Sequence, residues 1–248
     1  MRIAIITGAS SGMGRDFARL LSYEEIDELW LIARREERLV RLSKKLGIPC
    51  RTLPLDLYDR ASVALLSDYL AIEAPEVVWL VNAAGYGMIG KVAELSGDEQ
   101  DRMVALNCSA LTAITRAVLP YMTRGGRIVQ FASAAAFLPQ PEFAVYAATK
   151  AYVLSFSRAL NAELRGKGIS VTAVCPGPVN TEFLQIAEEH EAMARYKRFF
   201  MAESRRVVRA AFAGAKRRRE VVVPSFPMQV FCLATKVVPH SMILKLMK

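Results

Sequence analysis

The stretch Arg2-Ile3-Ala4-Ile5-Ile6-Thr7-Gly8-Ala9-Ser10-Ser11-Gly12-Met13-Gly14 carries an apolar, β-branched run into a turn with glycines at spacing G-x-x-x-G-x-G, and Arg15–Leu21 continues in a helical pattern. Glycines in such a turn let the backbone approach an anion closely. The unpaired N–H groups and positive dipole end of the following helix favour a phosphate there. The spacing differs from the G-x-G-x-x-G dinucleotide fingerprint, and a structural turn of Gly and Ser between a strand and a helix looks much the same. The loop takes its meaning from what surrounds it.

Outward from that loop, short apolar runs recur at Arg2–Thr7, Glu28–Ala33, Cys50–Leu55, Val77–Asn82, Gly126–Phe131, Ile169–Cys175 and Glu220–Val223, with helix-length segments between most of them. Strands that alternate with helices lie parallel, because each crossover helix returns the chain to the same end of the sheet. An α/β fold with a doubly wound parallel sheet of about seven strands is expected. No repeat, low-complexity run or linker interrupts it, so residues 1–248 are read as one domain.

Composition sets the outer bounds. Of 248 residues, 53% are hydrophobic, which excludes a disordered chain. The apolar run at the N-terminus is too short for a signal peptide's core and meets a glycine turn instead of a cleavage site, so the fold is expected to begin at once. Cys50, Cys108, Cys175 and Cys232 lie far apart, with no Cys-x-x-Cys pair. Reduced thiols of a cytoplasmic protein are expected, with no metal site. The net charge of +9 is concentrated at Arg205, Arg206, Arg209, Lys216, Arg217, Arg218 and Arg219. No nucleic-acid-binding signature accompanies that patch, so it is read as a solvated or anionic-lipid-facing surface and no nucleic-acid partner is expected.

In parallel sheets of this type the ligand sits beyond the carboxyl ends of the strands. After the second strand a NAD site shows an acidic residue for the adenosine ribose, whereas an arginine accepts an added 2′-phosphate. This chain has Ala33-Arg34-Arg35 there. NADP(H) is therefore the expected cofactor, with Arg34 the primary phosphate contact and Arg35 beside it. The competing reading is two solvated arginines paired with Glu36 and Glu37. Asp56, after the third strand, suits either the adenine amino group or the cap of the next helix. Asn82-Ala83-Ala84-Gly85 places small residues where the adenosine-side ribose would pass, though helix–sheet packing would also call for them.

The chemistry-bearing pattern is Tyr146-Ala147-Ala148-Thr149-Lys150, near the start of a long helical segment. Residues four apart share a helical face, so phenol and ammonium point into one cleft. A neighbouring cation favours the phenolate, and a tyrosine so tuned can pass a proton to or from a carbonyl oxygen as hydride moves at carbon. Ser133, just past the fifth strand, is placed to hydrogen-bond the same oxygen. Asn107 is placed to hold a water that connects Lys150 to solvent. Taken singly, Ser133 reads equally well as a turn hydroxyl and Asn107 as a satisfied core amide.

Taken together, these elements resemble the short-chain dehydrogenase/reductase family over essentially residues 1–225. T-G-A-S-S-G-M-G, the Asp56-Leu57 pair, N-A-A-G at Asn82–Gly85, Asn107, Ser133, Y-A-A-T-K at Tyr146–Lys150 and P-G-P-V-N-T at Pro176–Thr181 occur in the family's order. Ser133 and Tyr146 stand the usual 13 positions apart. Ala83 departs mildly from the commoner N-N-A-G. The resemblance implies a Rossmann fold and a tetrad of Asn107, Ser133, Tyr146 and Lys150, with Lys150 also on the nicotinamide ribose. It implies that the dinucleotide runs past Gly8, Ser10, Ser11, Gly12, Met13 and Gly14, Asp56 and Leu57, and Asn82, Ala83, Ala84 and Gly85. Pro176, Gly177, Val179 and Thr181 would then hold the nicotinamide, with Thr181 near its carboxamide.

The expected function is NADP(H)-dependent interconversion of a carbonyl and an alcohol, and the competing one a catalytically idle NADP(H)-binding sensor or scaffold. Residues 182–215 are read as a substrate lid. Phe183, Leu184, Ile186, Phe199, Phe200 and Met201, with Phe137 and Leu138, suggest a hydrophobic ketone, aldehyde or 3-oxoacyl substrate. The C-terminal extension, about 225–248, has no uncharged run long enough to span a bilayer. It is expected to pack on the domain, to join copies in a homodimer or homotetramer, or to touch a membrane peripherally.

Overall fold

A computed structural model of the protein describes residues 1–194 and 198–246; lid residues 195–197 and the tail residues Met247 and Lys248 lie outside it. The first half of the sheet is built from β1 (Arg2–Thr7), β2 (Glu28–Ile32) and β3 (Cys50–Leu53), joined through α1 (Gly12–Leu21) and α2 (Glu36–Ser43). Helix α3 (Arg60–Glu73) crosses to β4 (Glu76–Asn82), and α4 (Gly97–Val104), a π-helical turn (Ala105–Ala110) and α5 (Leu111–Val118) lead to β5 (Met122–Phe131). Then follow α6 (Ala144–Leu164), β6 (Ser170–Val174), β7 (Val179–Asn180), α7 (Glu182–Ala187), β8 (Ala202–Glu203), α8 (Ser204–Lys216) and β9 (Val221–Val222). Two tail helices close the described chain, α9 (Phe226–Val237) and α10 (His240–Leu246).

Seven strands form one sheet in the order β3-β2-β1-β4-β5-β6-β9, every pairing parallel. This is the expected doubly wound Rossmann-type α/β fold. Side chains alternate across a strand, and β1 shows both layers that result. Ala4 and Ile6 pack with Phe17, Leu21, Leu39 and Val208 from α1, α2 and α8. Ile3 and Ile5 pack with Leu66, Ile114 and Leu160 from α3, α5 and α6. Strand order reverses between β1 and β4, which places the crevice at their carboxyl ends.

Two departures from the sequence reading matter for the site. β7 and β8 pair as a separate two-stranded sheet, Val179 with Ala202 and Asn180 with Glu203, which joins the two ends of the lid. The segment 182–215, expected to be a lid, is in part core: residues 204–215 belong to α8, whose Val207, Val208, Ala211 and Ala215 are buried while Arg205, Arg206 and Arg209 form its exposed face.

Candidate active site

Two glycines of the loop, Gly8 and Gly14, are held by contacts that exclude a side chain. Gly8 has φ +68° and Gly12 φ +49°, in the left-handed region that glycine enters without steric cost. A Cβ on Gly8 would lie 2.7 Å from the Ala84 nitrogen, and one on Gly14 would strike the Gly8 carbonyl. Thr7 Oγ1 accepts a hydrogen bond from Ala84 N at 3.1 Å. The backbone at Ala83 and Ala84 therefore brings the β4 end close to the β1 turn. Across the crevice, a Cβ on Gly12 would meet the Thr181 side chain at 3.5 Å. Ser11, at the N-cap of α1, makes no side-chain capping bond, and the first turn of the helix carries no acidic residue.

A cavity of about 640 Å³ opens beside this loop. Of the sequence-predicted residues, Met13, Ala83, Gly85, Ser133, Tyr146, Lys150, Pro176, Gly177, Val179 and Thr181 line it. Phe183, Leu184 and Phe200 of the lid line it too, whereas Phe199 is 87% exposed. Phe137 and Leu138, expected near the substrate, do not line it; Phe137 packs beside Val153 and Cys175 instead. Met228, Phe231 and Ile243 of the tail helices complete the wall.

At the reactive end, Tyr146 and Lys150 are both buried, with Lys150 Nζ 5.6 Å from the phenol ring centre. The ammonium donates to the Phe131 carbonyl at 2.9 Å. The phenol ring stacks on Phe143 at 4.2 Å and meets Phe183 of the lid at 5.6 Å. Ser133 Oγ accepts from Ala135 N at 3.1 Å, and Ala134 N donates to the Pro176 carbonyl at 2.7 Å, fastening the Ser133 turn to the Pro176–Thr181 segment.

The electrostatics differ from the sequence expectation. Burial pushes the Tyr146 phenol up to about 12, against a hydrogen bond with Ser133 that pulls it down. Burial brings the Lys150 ammonium down to about 8. Desolvation thus dominates, and Ser133, not the Lys150 that the four-residue spacing suggested, is the group that pulls the phenol down. The phenol is held protonated, as a proton donor requires. Cys175, close by, is also held as a thiol, pushed up to about 12 by burial.

Asn107 is fully buried inside the π-helical turn. Its Nδ2 donates to the Tyr86 carbonyl at 2.9 Å and to Thr149 Oγ1 at 3.0 Å, and its Oδ1 accepts from Tyr86 N at 3.1 Å. Both side-chain donors are used, so a relay water is left only lone pairs to meet. A Cβ on Gly85 would sit 2.8 Å from Asn107 Oδ1 and 3.4 Å from Lys150 Nζ, which places that glycine directly over the pair.

The adenosine end is more open. Arg34 is exposed, and its side chain has no hydrogen bond or ion pair to the described residues. Arg35 reaches the loop, donating to Ser10 Oγ at 3.1 Å and Ser11 Oγ at 3.2 Å. Glu182 of the lid grips it at 2.8 Å and grips Arg38 at 2.9 Å. The guanidinium of Arg35 holds the Glu182 carboxyl down at about 2. The cap alternative for Asp56 is excluded: Asp59 caps α3 by accepting from Ala61 N, while Asp56 accepts from Tyr58 N at 3.2 Å. The Leu57 side chain belongs to the core. The Asn82 amide turns inward to Thr115 Oγ1 at 3.1 Å, so its side chain is not brought to the cavity.

Sequence reasoning missed four contributors. Gly87 makes room for the phenol, since a Cβ there would lie 2.5 Å from the Tyr146 ring; the repeat Gly85-Tyr86-Gly87 was the available signal. Phe143, Arg38 and Glu182 act through contacts distant in sequence or without periodicity.

A family model described as short chain dehydrogenase matches residues 2–192. Sulfoacetaldehyde reductase 2 of Chromohalobacter salexigens is 37% identical over 190 residues, spanning 73% of this chain and 74% of that protein. Among solved structures, a short-chain dehydrogenase from Sphingobium yanoikuyae in complex with NADPH is 30% identical with TM-score 0.80, covering 98% of this chain and 95% of that one. A 3-ketoacyl-(acyl-carrier-protein) reductase from Brucella melitensis complexed with NADH is 25% identical with TM-score 0.76, covering 89% and 94%. With the glycine loop, the buried Tyr146/Lys150 pair and these similarities together, the chain belongs to the short-chain dehydrogenase/reductase family of oxidoreductases.

Proposed function

We propose that this protein is an NADP(H)-dependent enzyme that interconverts a hydrophobic carbonyl compound, a ketone, aldehyde or 3-oxoacyl group, and its alcohol. The observation that carries the reading is the convergence of Ser133, Tyr146 and Lys150 on one cavity that Met13 of the glycine loop also lines. Gly8 and Gly14 pack against backbone, and the loop leads into the N-terminus of α1, whose first N–H groups and positive dipole end suit a pyrophosphate.

In this reading Gly8, Ser10, Ser11, Gly12, Met13 and Gly14 hold the pyrophosphate side. Arg34 and Arg35 take the 2′-phosphate, and Asp56, with the backbone at Leu57 and Asn82–Gly85, takes the adenosine side. Pro176, Gly177, Val179 and Thr181 hold the nicotinamide, whose bound form supplies or accepts the hydride. Tyr146 gives its proton to the carbonyl oxygen, Ser133 hydrogen-bonds that oxygen, and Lys150 binds the ribose and replenishes the phenol. Asn107 fixes the Tyr86 backbone beside Lys150 and offers its remaining acceptor capacity to the proton path. The idle-binder alternative has no use for a buried phenol aimed into a substrate-sized cavity.

Residues 1–248 then act as one domain, with the lid from 182 closing the cavity and the extension from about 225 forming a further wall. We place the enzyme in the cytoplasm as a homodimer or homotetramer, acting on a small molecule and touching membrane peripherally through that extension.

Two outcomes test the reading here. Arg34→Asp is expected to weaken NADPH binding by about 10-fold or more while leaving NADH within a few-fold, because a guanidinium–phosphate contact is charge-assisted and NADH lacks that phosphate. Titration of both cofactors by fluorescence measures this; equal losses would mean that Arg34 does not read the phosphate. The second outcome is a pH profile. The phenol stays protonated to about 12, but Lys150 loses its replenishing proton above about 8. Carbonyl reduction is therefore expected to be full below that pH and to fall by up to about tenfold per unit above it. A kcat that stays level to strongly alkaline pH would take Lys150 off the proton path.

A further inference from the structure

Helix α9 has two faces with different tasks. Met228 and Phe231 line the cavity, and Met228 packs so tightly on the Pro176–Pro178 segment that a Cβ on Gly177 would lie 2.9 Å from its Sδ. On the opposite face Phe226, Val230, Leu233 and Val237 follow at i, i+4, i+7 and i+11 and are 75%, 52%, 64% and 75% exposed. Helix α10 adds Ile243 to the cavity wall and leaves Met242 58% exposed. One helical layer therefore separates the cavity from an outward apolar stripe. Contiguous apolar surface of this type marks a contact site.

Charge decides what covers it. From Pro224 to Lys248 the chain contains no Asp or Glu, while Lys236 and Lys245 are present and exposed. A second copy docking by two-fold symmetry would set this acid-free, cationic segment against itself with no carboxylate to pair. An apolar stripe flanked by lysines fits the headgroup boundary of an anionic bilayer.

We propose that α9 and α10 seat the enzyme on an anionic bilayer through Phe226, Val230, Leu233, Val237 and Met242, and that its substrate is a lipid-dissolved carbonyl compound entering the cavity from that side. This rests on the cavity being the substrate site. The apolar residues lie in the bilayer interface, Lys236 and Lys245 meet the headgroups, and Met228, Phe231 and Ile243 form the wall that an acyl chain passes.

The test uses the full chain and two separate readouts. Co-sedimentation without cofactor or substrate compares phosphatidylcholine vesicles with vesicles that also contain phosphatidylserine. Binding is expected only to the latter, to weaken with salt, and to fall by about tenfold or more in Leu233→Glu and in the double variant Lys236→Glu/Lys245→Glu. The double variant alters only exposed lysines, so it keeps the test valid should Leu233→Glu fail to fold. No binding to anionic vesicles, binding indifferent to both variants, or concentration-dependent dimerisation abolished by Leu233→Glu would overturn the docking. The second readout follows NADPH oxidation with a long-chain ketone carried in anionic vesicles and with a short water-soluble ketone. Both variants are expected to lose rate on the first and keep it on the second. Equal rates on both ketones in wild type and variants would overturn entry from lipid. Turnover of neither ketone by wild type would overturn the lipid-substrate claim and the proposed function, while the co-sedimentation result stands apart.

Discussion

Replacing Tyr146 by phenylalanine is expected to lower kcat for carbonyl reduction by about 10³-fold, within the range contributed by a positioned general acid, and to leave NADPH affinity within a few-fold. The phenol ring is held between Phe143 and Phe183, and phenylalanine keeps that packing. Only the hydroxyl is lost, and with it the proton donor and the partner of Ser133. Because the substitution conserves shape, a fall in rate is not attributable to collapse of the wall. Steady-state NADPH oxidation against a substrate of the wild type, with cofactor titration on the same preparation, measures both halves. An unchanged rate would reject Tyr146 as the proton donor; parallel loss of rate and cofactor binding would mean that the hydroxyl serves the cradle instead.

The second large effect is structural. Gly8→Ala is expected to destabilise the protein by about 3 kcal/mol or more, because a left-handed backbone costs a non-glycine residue about 1–2 kcal/mol and an overpacked methyl typically adds about 1–3. The new Cβ would meet backbone atoms of both Ala83 and Ala84 within 2.8 Å. Backbone cannot swing aside as a flexible side chain does, so β1 and β4 must part where the dinucleotide is to lie. Thermal or urea unfolding would show the loss, and titration would show weakened binding of NADPH and NADH alike. Wild-type stability in the variant would mean that the β1 turn relaxes freely, against the close approach to Ala84.

The sheet was legible because its strands are buried on both faces and read as uninterrupted apolar runs, Ile3–Ile6 and Val77–Val81 being the clearest. Val179-Asn180 and Ala202-Glu203 offer no such run, unlike Val221-Val222-Val223 at β9, which is why β7 and β8 escaped notice. The grouping of Ser133, Tyr146 and Lys150 on one cavity was legible for a different reason: they belong to an ordered set of motifs, and a four-residue step on α6 points the last two the same way. The direction of the Tyr146 shift was not legible, since it depends on how completely Phe143, Phe183 and the lid dry the site. Nor was the π-helical turn around Asn107, which has no periodicity of its own. The tail showed its apolar content in sequence, and the structure adds its sidedness: Met228 and Phe231 line the cavity while Val230 and Leu233 face outward.

The bridge from Glu182 to Arg35 and Arg38 joins α7 to the loop 147 positions earlier in the chain. An anion that takes the Arg35 donors must displace a carboxylate, and thermodynamic reciprocity makes the two events one equilibrium: whatever favours the incoming charge loosens the lid to the same degree, and whatever clamps the lid weakens the incoming charge. Since Glu182 stays ionised down to about 2, acid in the ordinary carboxylate range leaves this fastening intact. Dissolved salt and competing phosphates are the agents to which it answers.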